Sequence, residues 1–136
     1  TDHAPHTLEE KAKGYPNTPS GMPGVETSLP LMLTQAVAGK CTIEQVSHWM
    51  STAVATAYGI PNKGSIKIGY DADLVLVDID HYHPVERDLE TKCGWSPFEG
   101  WDLTGYPVYT IVNGHIVYER GKIYTDIKGK ALQFDR

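Results

Sequence analysis

The first 25 residues, TDHAPHTLEEKAKGYPNTPSGMPGV, follow neither a two-residue nor a 3.6-residue hydrophobic period, and they are rich in Pro, Gly, Thr and Ser. This predicts a long loop, and long loops in compact domains are usually functional or disordered. In ETSLPLMLTQAVAGK the apolar positions Leu29, Met32, Leu33, Ala36 and Val37 recur at helical spacing. Pro30 fits the first turn of that helix, where its missing N–H costs nothing, and Gly39 is a natural stop. A second helix is predicted from TIEQVSHWMS, with Thr42 and Gln45 as a capping box and Ile43, Val46, Trp49 and Met50 as its apolar stripe. STAVATAYG predicts a third, short helix, capped by Ser51 and ended by Gly59.

Helical spacing stops at IPNKGSIKIGYDADLVLVDID. Leu74, Val75, Leu76 and Val77 form a strand that is apolar on both faces. YPVYTIVNGHIVYERGKIY predicts a hairpin, because two β-branched and aromatic runs flank Asn113-Gly114, the preferred pair for a type I′ turn. The WSPFEGWDLTGYP segment reads as a connector. The chain thus divides near Ile60 into loop plus helices, residues 1–60, and a small β-structure, residues 61–136. Amphipathic helices must bury their stripe against something. With no sheet in the first part and few strands in the second, part of that partner is expected to lie outside these residues.

Composition narrows the classes. With 12 basic against 17 acidic residues and a net charge of −5, no basic patch points to nucleic acid or an anionic membrane. No run of about 18 apolar residues marks a spanning helix. Cys41 and Cys93 fit neither a metal spacing nor a disulfide framework, and read as reduced thiols of a cytoplasmic protein.

The chemistry concentrates at the start. Asp2, His3 and His6 offer a carboxylate and two imidazoles, which can bind a metal or move a proton near neutral pH, or simply be a solvated stretch. The loop PSGMPGVET follows closely, and its Gly21 and Gly24 permit close backbone approach to a small molecule. Lys11 and Lys13 beside Glu9 and Glu10 read as a solvated face. His81 and His83 read as surface loop residues, and the aromatic residues Trp95, Phe98, Trp101 and Tyr106 as packing of the tail. Asp71 and Asp73 in GYDAD read as a turn into a strand, since calcium needs further oxygen ligands.

DHAPHTLEEK followed by GMPGVET resembles the class I dihydroorotases of the amidohydrolase superfamily. KGSIKIGYDADLVLVD is similar to a segment shared more widely in that superfamily, and WSPFEGWDLTGYPVYTIVNGHIVYERGK to the dihydroorotase tail. The resemblance implies an α/β fold: the C-terminal remnant of a (β/α)8 barrel, with its last strand end, loop and helices, followed by a small β-sandwich portion. It implies a zinc-dependent cyclic amidohydrolase, with one or two Zn2+ ions, that interconverts N-carbamoyl-L-aspartate and L-dihydroorotate in pyrimidine synthesis.

By the same resemblance Asp2 contacts the metal and serves as general base, moving a proton to the departing amide nitrogen. His6 binds the substrate, and Ser20 and Gly21 offer it backbone hydrogen bonds. His3 matches the motif without a direct role. The family's early His-x-His, its carbamylated lysine, two further histidines and a substrate-holding Arg and Asn have no match here. The chain is therefore expected to be part of a longer enzyme, inactive alone and adhering to the missing N-terminal part. The resemblance further implies a homo-oligomer. Two other roles stay open: a hydantoinase or allantoinase, or a non-catalytic structural partner of aspartate transcarbamoylase.

Overall fold

The computed structural model describes residues 2–86 and 89–135, so Thr1 of the opening motif lies outside the described residues. The chain forms two compact units interleaved in sequence: Thr1–Thr34 with Ile79–Tyr106, and Gln35–Asp78 with Pro107–Arg136. The order of elements is α1 (Leu8–Lys11), α2 (Ser28–Val37), α3 (Ile43–Ser47), a π-helical turn (His48–Thr52), α4 (Ala53–Tyr58), β1 (Leu74–Asp78), β2 (His83–Pro84), β3 (Asp102–Leu103), β4 (Tyr106–Val112), β5 (His115–Glu119) and β6 (Lys122–Ile123). The chain is thus mixed α/β.

In the first unit the buried residues include Pro30, Leu33, Val85, Leu103 and Thr104. Thr104 holds its place through hydrogen bonds. Its N–H donates to Thr34 Oγ1 at 2.9 Å and its hydroxyl donates to the His81 carbonyl at 2.9 Å. β2 and β3 pair antiparallel, His83 opposite Leu103. The ladder continues as Val85 N–H donates to the Trp101 carbonyl and Gly100 N–H to the Val85 carbonyl. His83 therefore sits in a short strand rather than a loop, although it and His81 are both exposed as expected.

In the second unit Thr42 and Gln45 form the expected capping box at the start of α3. The expected third helix is not separate. Ser47 and Thr52 keep helical backbone angles, so α3, the π turn and α4 run as one rod, and Ser51 lies inside it instead of capping it. One extra residue is accommodated there, with Ala53 N–H donating back to the His48 carbonyl. The rod buries Val46 and Ala55 but leaves Ile43, Trp49, Val54 and Tyr58 exposed.

The four-stranded sheet has the order β1-β4-β5-β6. Val112 pairs with His115 across Asn113-Gly114, whose φ angles of 50° and 81° give the expected I′ turn. The doubly apolar strand β1 is only partly covered, with Val75 45% and Leu76 50% exposed.

Asp73 ties this hairpin to the approach of β1. Its Oδ1 accepts from Asn113 N–H at 2.7 Å, and its Oδ2 accepts from Lys63, which also pairs with Asp71 at 3.0 Å. The GYDAD acids thus sit in the expected turn and, beyond that expectation, pair with Lys63. Burial alone would raise the Asp73 pKa, but the Asn113 N–H and Lys63 outweigh it and the pKa falls below the carboxylate range. The Lys63 pKa is raised, chiefly by its hydrogen bond to Asp73.

A depressed acid stabilises above its ordinary pKa of about 3.9, and that contribution fades as pH falls through the folded value. A raised lysine stabilises below about 10.4, and that contribution fades as pH rises through the folded value. Asp73→Asn, which keeps an acceptor for Asn113, is therefore expected to lower the melting temperature at pH 7, and by progressively less as the pH falls from about 3.9 through the lowered folded value. A loss that stays constant across the acid range of a thermal series would show that the charge is irrelevant.

Candidate functional site

The site is a set of loops in the first unit. The stretch Asp2–Ala4 runs beside residues 21–24, with Ala4 N–H donating to the Met22 carbonyl at 3.1 Å. Gly21 has φ +99°, and a Cβ there would lie 2.6 Å from Ala4 Cβ and 2.8 Å from the Ala4 carbonyl oxygen, so only glycine fits. His3 joins the same two stretches. Its Nδ1 accepts from Gly24 N–H at 3.1 Å and Val25 N–H at 3.2 Å. An Nδ1 that accepts two amides carries no proton, which places the neutral ring's proton on Nε2.

Lys11 departs from its expected solvated role. It is half-buried, and its ammonium donates to the Pro19 carbonyl at 2.7 Å and the Gly21 carbonyl at 3.1 Å. Thr18 returns a hydroxyl bond to the Lys11 carbonyl at 2.8 Å. The single turn α1 thus holds the loop that carries Ser20 and Gly21. Glu10 is also engaged. It completes a capping box with Thr7, accepting from Thr7 N–H at 2.9 Å. Its pKa is lowered, first by that N–H against the cost of burial, with the Thr7 hydroxyl and His6 adding smaller pulls. Glu9 and Lys13 are exposed, as expected.

His6 is half-buried, with Nδ1 3.6 Å from Glu10 Oε2. The Trp95 indole N–H donates to its carbonyl at 2.7 Å, across 89 residues of sequence. The Glu26 carboxylate accepts from the backbone N–H groups of Glu90 at 2.9 Å and Thr91 at 2.8 Å. These contacts frame a pocket of about 470 Å³ whose lining includes His3, His6, Glu10, Glu26, Thr91 and Cys93.

Of the residues singled out from sequence, His6 lines this pocket, whereas Asp2, Ser20 and Gly21 do not. Asp2 and Ser20 are exposed. Among the described residues no three His, Cys, Asp or Glu side chains come together as a metal site. The residues present therefore do not by themselves fit a zinc ion, since Asp2 is a single ligating side chain and a zinc site needs three or four.

The description of the amidohydrolase family matches residues 1–117. The chain belongs to the amidohydrolase family. This amidohydrolase chain is 45% identical over 120 residues to a dihydroorotase of Halobacterium salinarum, covering 88% of the chain and 28% of that protein. It is 40% identical over 125 residues to a dihydroorotase of Methanosphaera stadtmanae, covering 91% of the chain and 29% of that protein. The chain thus spans less than a third of the length of these curated relatives.

Among solved structures it is similar to an L-hydantoinase (dihydropyrimidinase) of Arthrobacter aurescens, with a TM-score of 0.81 and 36% identity over 92% of this chain and 29% of that one. A dihydropyrimidinase of Brevibacillus agri superposes with a TM-score of 0.83 and 26% identity, over 90% of this chain and 28% of that one.

Sequence reading missed three of the contacts around this pocket. The TLEE capping box of α1 was visible in the spacing of Thr7 and Glu10. Glu26 and Trp95 had no local signal, since their partners lie 64 to 89 residues away.

Proposed function

We propose that this chain is the C-terminal part of a zinc-dependent dihydroorotase that interconverts N-carbamoyl-L-aspartate and L-dihydroorotate in the cytoplasm. Residues 1–60 close the (β/α)8 barrel domain of the whole protein, and residues 61–136 belong to its small β-sandwich domain. Asp2 is the general base and one metal ligand, and the other ligands come from outside this chain. His6 holds the substrate carboxylate, and the Ser20–Gly21 backbone contacts the ring. The Gly21 carbonyl already serves Lys11, which leaves its N–H and a second lone pair for that contact. The whole protein is a homo-oligomer.

The observation that carries this reading is His6. A dihydroorotate carboxylate needs a cationic or hydrogen-bonding partner, and His6 stands in the pocket with its backbone fixed. Hydantoin lacks that carboxylate. A hydantoinase is the second reading, favoured by the L-hydantoinase likeness.

Side-by-side rates of the whole protein on dihydroorotate, hydantoin and allantoin decide between them. Dihydroorotate is expected to be turned over fastest, and a faster rate on hydantoin would reverse the order of the two readings. Metal analysis is expected to return one or two zinc ions per chain. A purified active protein without zinc would remove that cofactor from the reading.

A further inference from the structure

We propose that Trp95 is a positioning residue for His6, so that the segment after Glu90 belongs to the substrate site as well as to the packing of the tail. The inference rests on the reading of His6 as a substrate-binding residue. The peptide unit joining His6 to Thr7 is gripped at both of its polar atoms. Its carbonyl accepts from the Trp95 indole at 2.7 Å, and its N–H donates to Glu10 at 2.9 Å. A peptide plane held at both ends leaves the His6 backbone little freedom to turn. The backbone from which the imidazole projects is then fixed by two side chains, one near in sequence and one remote.

Trp95 can do this because its own segment is anchored. The Glu26 carboxylate holds the amides of Glu90 and Thr91, and His3 holds those of Gly24 and Val25. The contacts close on themselves: His3 to residues 24 and 25, Glu26 to residues 90 and 91, and Trp95 back to His6. The pocket lies along this circuit, lined by His3, Glu26, Thr91 and His6.

The experiment uses the whole protein. Trp95→Phe keeps a ring but removes the N–H, and a second version carries a benzothiophene analogue of tryptophan, isosteric and lacking the donor. In both, the KM for dihydroorotate is expected to rise about fivefold with kcat held within about twofold, since one neutral hydrogen bond is lost from the binding geometry. Amide hydrogen exchange across residues 4–7 is expected to accelerate. An unchanged KM with unchanged exchange overturns the proposal, as does an equal fall in kcat and stability without a change in KM. If the unaltered protein proves inactive on dihydroorotate, the functional reading fails by itself. Exchange then decides whether Trp95 holds His6.

Discussion

Asp2→Asn in the whole protein is expected to lower kcat on dihydroorotate by about 10²–10⁴-fold, the usual contribution of a positioned general base. Asparagine keeps the size and one oxygen of the side chain but cannot take up a proton near neutral pH. The loss should appear in kcat more than in KM, because His6 and the loop backbone, to which substrate binding is assigned in the proposed reading, are untouched. Folding should be unaffected, since Asp2 is exposed and its neighbours are held by other groups. The Ala4 N–H bond to Met22 and the His3 contacts to Gly24 and Val25 do not involve its carboxylate. Steady-state rates and a melting curve on the same preparation test both halves. Full activity in Asp2→Asn would remove Asp2 from the role of base.

The second large effect is expected at Gly21. Gly21→Ala places a methyl 2.6 Å from Ala4 Cβ and 2.8 Å from the Ala4 carbonyl oxygen, at a φ of +99°. Left-handed strain and overpacking together cost roughly 2–5 kcal/mol. The backbone of residues 2–6 can escape only by moving away, and it carries both Asp2 and His6. A shift of about 1 Å is enough to cost about 100-fold in kcat/KM. Ala4→Gly in the same protein removes the methyl contact but not the carbonyl one, and is expected to restore part of the loss. Wild-type activity and stability in the single variant would show that the two stretches are not packed together.

Much of this architecture was legible in the order of residue types. The I′ hairpin was readable because Asn113-Gly114 is a local rule, obeyed by two neighbouring φ angles. The start of α3 was readable for the same reason, through Thr42 and Gln45. The unbroken rod from Ile43 to Tyr58 was misread, because Ser51 has the chemistry of a cap without the break in backbone that a cap needs. Lys11 was misread as a solvated charge, because the carbonyls it serves belong to residues whose folding back is set by the loop and not by α1. At the site, the DHAPH motif could be picked out, and its His6 lines the pocket. Trp95, which holds His6, and Glu26, which holds residues 90 and 91, could not, because a hydrogen bond across 64 or 89 residues leaves no periodic trace.

That long reach has a consequence for biosynthesis. The backbone amides that Glu26 captures are translated 64 and 65 residues after it, and the indole that reaches His6 later still. On the ribosome the histidine loop therefore emerges well before the groups that fix it, and contacts of such separation form slowly. A nascent polypeptide stalled before Trp95 would carry every letter of the DHAPH motif and still lack the indole that fixes the His6 carbonyl, so the cleft takes its shape only after Trp95 has been made.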